Sequence, residues 1–322
     1  MKRFLLVLAC IAIASPAWAM KARRVPQRPQ SPLAPATVTI TGNPLTIVVG
    51  DDTSMQSYNS NVPGTGQFYP PDCSAGQTAD SGVFVASAGT VFGPDFDNHP
   101  CGSASNSYTP LTPLSLSPVT GSGTAGDPFT VVIVVNAGAV TQLTETVTYV
   151  NGNPGAVISL SFAPIPPPAV PSGGIGFSAF IGADLFLADN DSGFPFATPP
   201  AAAGSHGADD NCVQLQYTIS FLGTTAANGF SANGYSQVWD EITAGALSNS
   251  VATTCLDDGA ALEWNVVITN QPVVIQTGIS FTGQAVPVQA AVPALSVKGL
   301  IALVGLLAAV GYVLARKTSA GA

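Results

Sequence analysis

Positive charge is what this sequence most conspicuously lacks. Between Pro29 and Val297 there is no Lys and no Arg; all nine basic residues lie at positions 2–28 and 298–317. All 18 Asp and Glu fall inside the gap, so with neutral His this body carries zero positive and 18 negative charges, −18, where the whole chain is −9. Lys/Arg salt bridges are therefore excluded within the body, and packing, hydrogen bonds and disulfides must hold it. Nucleic acid is excluded as a partner of the body, because phosphate binding needs a basic footprint. An acidic surface also repels anionic lipid headgroups, and it favours solubility.

Catalytic vocabulary is equally sparse. There is no GxSxG, no HExxH and no P-loop, and only two histidines, His99 and His206. A zinc site or a His base would need these two to converge with carboxylates, and their spacing does not impose that. No CxxC pair is present. The sequence thus points away from an enzyme and from a tightly held cofactor, and a secreted hydrolase is the weakest of the readings kept open.

The two ends carry addresses. Lys2-Arg3, the apolar run Phe4–Ile13 and Ala17-Trp18-Ala19 have the form of a secretory signal over residues 1–19, cleaved before Met20. Export machinery of the Sec type and a signal peptidase are the partners this implies. Residues 20–36 include a basic, Pro-rich stretch (KARRVPQRPQSPLAP) without hydrophobic periodicity, which reads as a disordered leader. Near the other end, Gly299–Ala315 is 17 residues without a charge, followed by Arg316 and Lys317. As a helix it covers roughly 25 Å, close to a hydrocarbon core of about 30 Å, and Leu295 and Val297 can extend it. The positive-inside rule leaves Arg316, Lys317 and the tail 318–322 in the cytoplasm.

Ahead of this run stands Val292-Pro293-Ala294-Leu295-Ser296, with Gly299 following. The segment 292–317 resembles the IPTL-CTERM protein-sorting domain of Gram-negative bacteria: an Ile/Val-Pro-Thr-Leu-Ser motif, usually a Glu-Trp-Gly, an apolar helix and an Arg-rich cap. Val292, Pro293, Leu295, Ser296 and Gly299 fit that pattern. Ala294 stands in place of Thr, Val297-Lys298 in place of Glu-Trp, and the basic cap is short. The resemblance implies an exosortase-like sorting peptidase as partner, an inner-membrane precursor, and delivery to the cell surface or medium of a Gram-negative envelope.

The body, residues 37–289, reads as all-β. Thr37–Ile40, Leu45–Val49, Ala156–Phe162, Phe177–Phe180, Cys212–Phe221, Leu262–Thr269 and Val273–Thr282 have strand composition. Phe129–Val135 (FTVVIVV) is continuously apolar, as in a strand buried on both faces, and the alternating Thr141–Val150 should pair with it. Gln237–Ala246 is the one helix candidate. Thirty-three Gly and 27 Pro punctuate the rest. This is the pattern of a β-sandwich, either one large sandwich or two smaller ones divided at 163–174, with one continuous domain favoured.

Cys73, Cys101, Cys212 and Cys255 remain after removal of a signal containing Cys10. Four cysteines in an exported chain read as two disulfides. Three pairings are open in principle; Cys73–Cys101 and Cys212–Cys255 close the shortest loops and are favoured. Each would contribute about 3–4 kcal/mol.

Asp189-Asn190-Asp191-Ser192-Gly193 has the alternating acids and glycine of half a calcium loop. Asp209-Asp210 or Asp257-Asp258 could complete it across space, which makes Asp189, Asp191, Asp209 and Asp210 the candidate calcium ligands; a plain polar turn is the competing reading. Asp95–His99, Asp51-Asp52 and Phe68–Pro71 read as loops. The expected role is therefore structural, adhesive or matrix-forming at the cell surface, with a calcium-stabilised module for glycan or protein as the alternative. The surface ligand itself is not legible.

Overall fold

The structure, a computed structural model, describes residues 34–73, 76–101, 103–165 and 170–283. The expected signal peptide, most of the expected leader, the expected sorting motif with its apolar run, and the tail lie outside the described residues. Among those described, no helix is long and apolar enough to cross a membrane.

The body is built from three sheets. A short meander joins β1 (Thr37–Thr41), β2 (Leu45–Gly50) and β3 (Met55–Asn59). An eight-stranded sheet runs β12 (Gly193–Thr198), β13 (Ala202–Ala208), β14 (Gln214–Gly223), β18 (Val273–Thr282), β10 (Gly155–Pro164), β9 (Thr141–Tyr149), β8 (Phe129–Ala137), β7 (Thr112–Leu116). A seven-stranded sheet runs β16 (Ser250–Val251), β15 (Gly229–Gly234), β17 (Asp258–Ile268), β11 (Ile175–Asp184), β4 (Ser81–Ser87), β5 (Thr90–Gly93), β6 (Thr109–Pro110). The single α-helix among the described residues, α1, spans Tyr235–Ala244.

Alternation explains the eight-stranded sheet. Ile133 and Val135, Leu143 and Val147, Ile158 and Leu160, and Ile275 and Ile279 are buried in one core. The other face carries Thr144, Thr146, Thr148, Ser159 and Ser161, with Val157 and Val274 about half exposed at 49% and 52%. Here the expectation for Phe129–Val135 needs correcting. That strand is buried on one face only: Val131, Ile133 and Val135 are buried, while Val132 and Val134 are intermediate. Strand β8 pairs with β9 and with β7 in an antiparallel sheet whose second face is only partly buried among the described residues, so apolar continuity did not mean a second buried side.

The seven-stranded sheet is the one covered twice. Val83, Val85, Ala179, Ile181, Leu262 and Trp264 point into the shared core. Phe84, Phe180 and Ala261, one residue out of phase, point the other way and pack with Phe96 and with Val238, Trp239 and Ile242 of α1. Phe84 lies 4.8 Å from Tyr108 and 5.9 Å from Trp239, ring centre to ring centre. Burying a ring such as Phe84 stabilises by about 2–3 kcal/mol, which is what fixes the helix on this face. Gly245 ends the helix at φ 79°, a conformation glycine adopts without strain.

One core cluster takes side chains from Ile40 to Phe281, from all three sheets. The stretch between β10 and β11 carries the chain from the eight-stranded to the seven-stranded sheet, and Asn270-Gln271-Pro272 carries it back. The edges are short or contain proline: Pro113 in β7, Pro195 in β12, Pro110 in β6, and a two-residue β16.

Candidate functional site

Four neighbouring chain segments of the seven-stranded sheet reach one end of the sandwich together. Asp80 immediately precedes β4, Asp184 ends β11, Asp258 opens β17, and Tyr235 follows β15 as the first residue of α1. The register holds them in a row, with Ala183 opposite Ser81, Asp184 opposite Gly259, and Gly234 opposite Asp258. Backbone bonds tie the row to the loops: Asp184 N donates to Asp80 O, Tyr69 N to Asp184 O, and Tyr235 N to Asp257 O.

Carboxylates crowd this end. Asp184, Asp191 and Asp257, from three separate segments, each place an oxygen within 4.8 Å of the others'. Asp184 is 1% exposed and Asp258 2%. No hydrogen bond reaches Asp184 Oδ1, Asp191 Oδ1 or Asp257 Oδ1. Burial, reinforced by the neighbouring acids, pushes Asp184 well above the usual aspartate range and Asp257 up to about 7; burial alone pushes Asp191 to about 6. Asp258 is likewise raised, chiefly by burial and then by Asp257 and Asp191, against a hydrogen bond from Ser205. Gly193 makes room for Asp258: a Cβ there would lie 2.8 Å from Asp258 Oδ2. The hydroxyls of Tyr69 and Tyr235 are held protonated, first by burial and then by the field of these same acids.

Asp80 differs in that one of its oxygens is fully engaged, although its Oδ1 also has no partner. It is fully buried, and its Oδ2 accepts from Ser103 Oγ, Ala104 N and Ser105 N at 3.0, 2.6 and 3.1 Å. Burial still dominates and lifts it to about 6.

Of the four aspartates expected as calcium ligands, the structure brings only Asp191 into this group. Asp189 is exposed with φ 66°. Asp209 is occupied in its own turn, accepting from Asn211 N and Val213 N, both at 2.9 Å. Asp210 is exposed and accepts from Asn190 Nδ2 at 3.1 Å. The half-loop is a polar turn, closed by Ser192 N on Asn190 Oδ1, and it delivers Asp191 to Asp257. Asp184 was missed, since it ends the apolar run of β11 and nothing beside it marks a site.

Two disulfides brace the loops of the site. Cys73 bonds Cys101 and Cys212 bonds Cys255, the pairing favoured by loop length. Cys101 leads into the 103–105 segment that clasps Asp80, and Cys255 stands two residues before Asp257.

The histidines do not converge on a common partner. His99 Nε2 lies 2.9 Å from Asp52 Oδ2 in the interior, whereas His206 Nδ1 meets Thr218 Oγ1 at 2.9 Å and its ring stacks on Phe196. Asp52 also accepts from Asp95 N and from Ser54 N and Oγ. Burial opposes its charge, but His99 and the Ser54 hydrogen bonds together hold its carboxyl below the usual aspartate value. These contacts make the Asp52–His99 pair a clasp between the β2–β3 turn and the 3-10 turn Phe96–Asn98. A separate groove of about 340 Å³, lined by Pro199, Pro200, Phe230, Asn249 and Leu262 among others, offers amide and apolar surface without an ionisable side chain.

No family model matches the sequence, and no curated protein matches it. Solved structures with a similar course of chain include a bacterial glucoamylase complexed with acarbose (10% identity, TM-score 0.47, 78% of this chain and 33% of that one). A heparan sulfate lyase from Pedobacter heparinus (8%, 0.40, 75% and 33%) and a galactose mutarotase related enzyme from Lactobacillus acidophilus (7%, 0.38, 77% and 98%) are others. The chain spans about a third of the length of the first two. At these TM-scores the likeness carries no chemistry from those enzymes to this chain.

Proposed function

We propose that this protein is exported and displayed at the cell envelope as a β-rich body with a structural, adhesive or matrix role and no catalysis of its own. The observation that carries the reading is the pair of disulfides, Cys73–Cys101 and Cys212–Cys255, both bracing loops at one end of the fold. Disulfides persist in oxidising compartments outside the cytosol. The secretory pattern of residues 1–19 and the sorting resemblance of 292–317 agree with that compartment and supply the route: export, signal cleavage, arrest in the inner membrane, then processing and transfer to the surface.

The test is to recover the protein from envelope, surface and medium fractions and to read its C-terminal residue and thiol state by mass spectrometry. Digestion would use an Asp-directed or chymotryptic protease, since the body offers trypsin no Lys or Arg. Oxidised cysteines and a chain ending near Pro293–Ser296, outside the inner membrane, are the expected result. Free thiols in a cytosolic fraction would overturn the reading.

A further inference from the structure

The acidic end of the sandwich presents an electrostatic problem that the described chain does not solve. Asp184 is buried, its Oδ1 receives no hydrogen bond, and its carboxylate belongs to the group formed with Asp191 and Asp257. Asp258, next in sequence to Asp257, is buried beside them. A buried carboxylate without a partner is costly, and several together more so. Native folds compensate such groups with a cation, yet residues 29–297 contain no Lys or Arg. Among the described residues the two histidines are turned to Asp52 and Thr218. No cationic side chain among the described residues compensates them.

We propose that Asp184, Asp191 and Asp257 form a binding site for one divalent cation of the calcium class, with Asp258 behind them adding negative potential. The donors are all oxygen, which selects a hard cation over zinc or copper. Ligand oxygens within 4.8 Å of one another fit around an ion with bonds of about 2.4 Å, since no pair is farther apart than twice that bond. Magnesium, with bonds of about 2.1 Å and a strict octahedron, demands tighter convergence. The ion would join the end of β11, the β11–β12 loop and the segment leading into β17, and so hold three loops that the disulfides approach only from the flanks. This assignment is independent of where the protein resides, so it stands or falls apart from the surface reading.

The test is calorimetric titration of the full purified chain, freed of metal by chelation, together with melting curves in EDTA, calcium and magnesium. One calcium should bind per chain, and about 10 mM calcium should raise Tm by about 5–10 °C for a site of sub-millimolar affinity. Asp257→Asn should weaken calcium binding at least tenfold while melting no lower than the parent in EDTA, because removing one of several repelling carboxylates relieves the metal-free state. Asp209→Asn should bind like the parent. Identical melting curves in EDTA and calcium would overturn the proposal. So would tight binding retained in Asp257→Asn, or a shift produced by magnesium and not by calcium.

Discussion

Glu145 offers the sharpest check on the energetics of the core. It lies mid-strand in β9 with Leu143 and Val147 on the same face, opposite Ile133 on β8 and Leu160 on β10. It is fully buried, and neither carboxylate oxygen has a hydrogen-bond partner. Burial, with a smaller push from the charge of Asp52, lifts it from the ordinary 4.5 to about 8. The sign follows directly. The fold favours the neutral acid, so its contribution is fully present below about pH 4.5 and is lost as pH rises towards 8, while the unfolded chain ionises and the folded one does not. At about 1.4 kcal/mol for each tenfold change in proton affinity, a rise from 4.5 to about 8 is worth about 5 kcal/mol. Glu145→Gln keeps the shape and abolishes the titration. Denaturant unfolding in EDTA at pH 4.5 and pH 8.5 should show the parent losing about 4 kcal/mol more than the variant across that interval. Glu145→Leu should exceed the parent at the higher pH, because an apolar side chain has no ionisation to suffer. Equal losses in parent and Glu145→Gln, within about 1 kcal/mol, would refute the reasoning, since every other acid is common to both.

Two further outcomes follow from contacts described above. Replacing both cysteines of the Cys212–Cys255 pair, which lie 43 residues apart, should lower unfolding free energy by about 4 kcal/mol, and the Cys73–Cys101 pair, 28 apart, by slightly less; chemical denaturation of each double variant reads this. His99→Ala should cost about 3–5 kcal/mol at neutral pH by stranding the buried Asp52 charge. Asp52 titrates below the usual value in the fold, so its contribution is present above about pH 4 and lost as pH falls through the folded value; the penalty of His99→Ala should shrink there.

Strands with large branched side chains were legible. The regions now seen as β8, β9, β10 and β18 were all marked by composition and alternation. Strands β12, β13 and β15 were not, because GFPFAT, AAGSHGA and GFSANG have small residues where a strand signal needs bulk. Their smallness is itself a packing requirement: a Cβ on Gly204 would lie 2.1 Å from Ile219 O of the adjacent strand. Glu145 carried a readable warning, since strict period two in TQLTETVTY puts it with Leu143 and Val147. The acidic site was legible only as fragments. Asp191 stood out in a turn-like run and Asp257-Asp258 as a doublet, but Asp184 is one acid at the end of an apolar strand. Only the antiparallel register of β11 and β17 makes it their neighbour.

Sheet edges invite addition of strands from other molecules, and many proteins guard them with lysine. This body has no lysine to place there. It uses imino acids and brevity instead: Pro113 and Pro195 remove donors from the two outer strands of the large sheet, while Pro110 and the two-residue β16 close the other. Copies crowded side by side would find few free N–H groups with which to zip together, and their surface carboxylates, unopposed by any lysine or arginine in the body, would keep them apart. Such a body can be massed at high local density and still resist growing into fibres, a property that a charge-poor, strand-rich chain would otherwise lack.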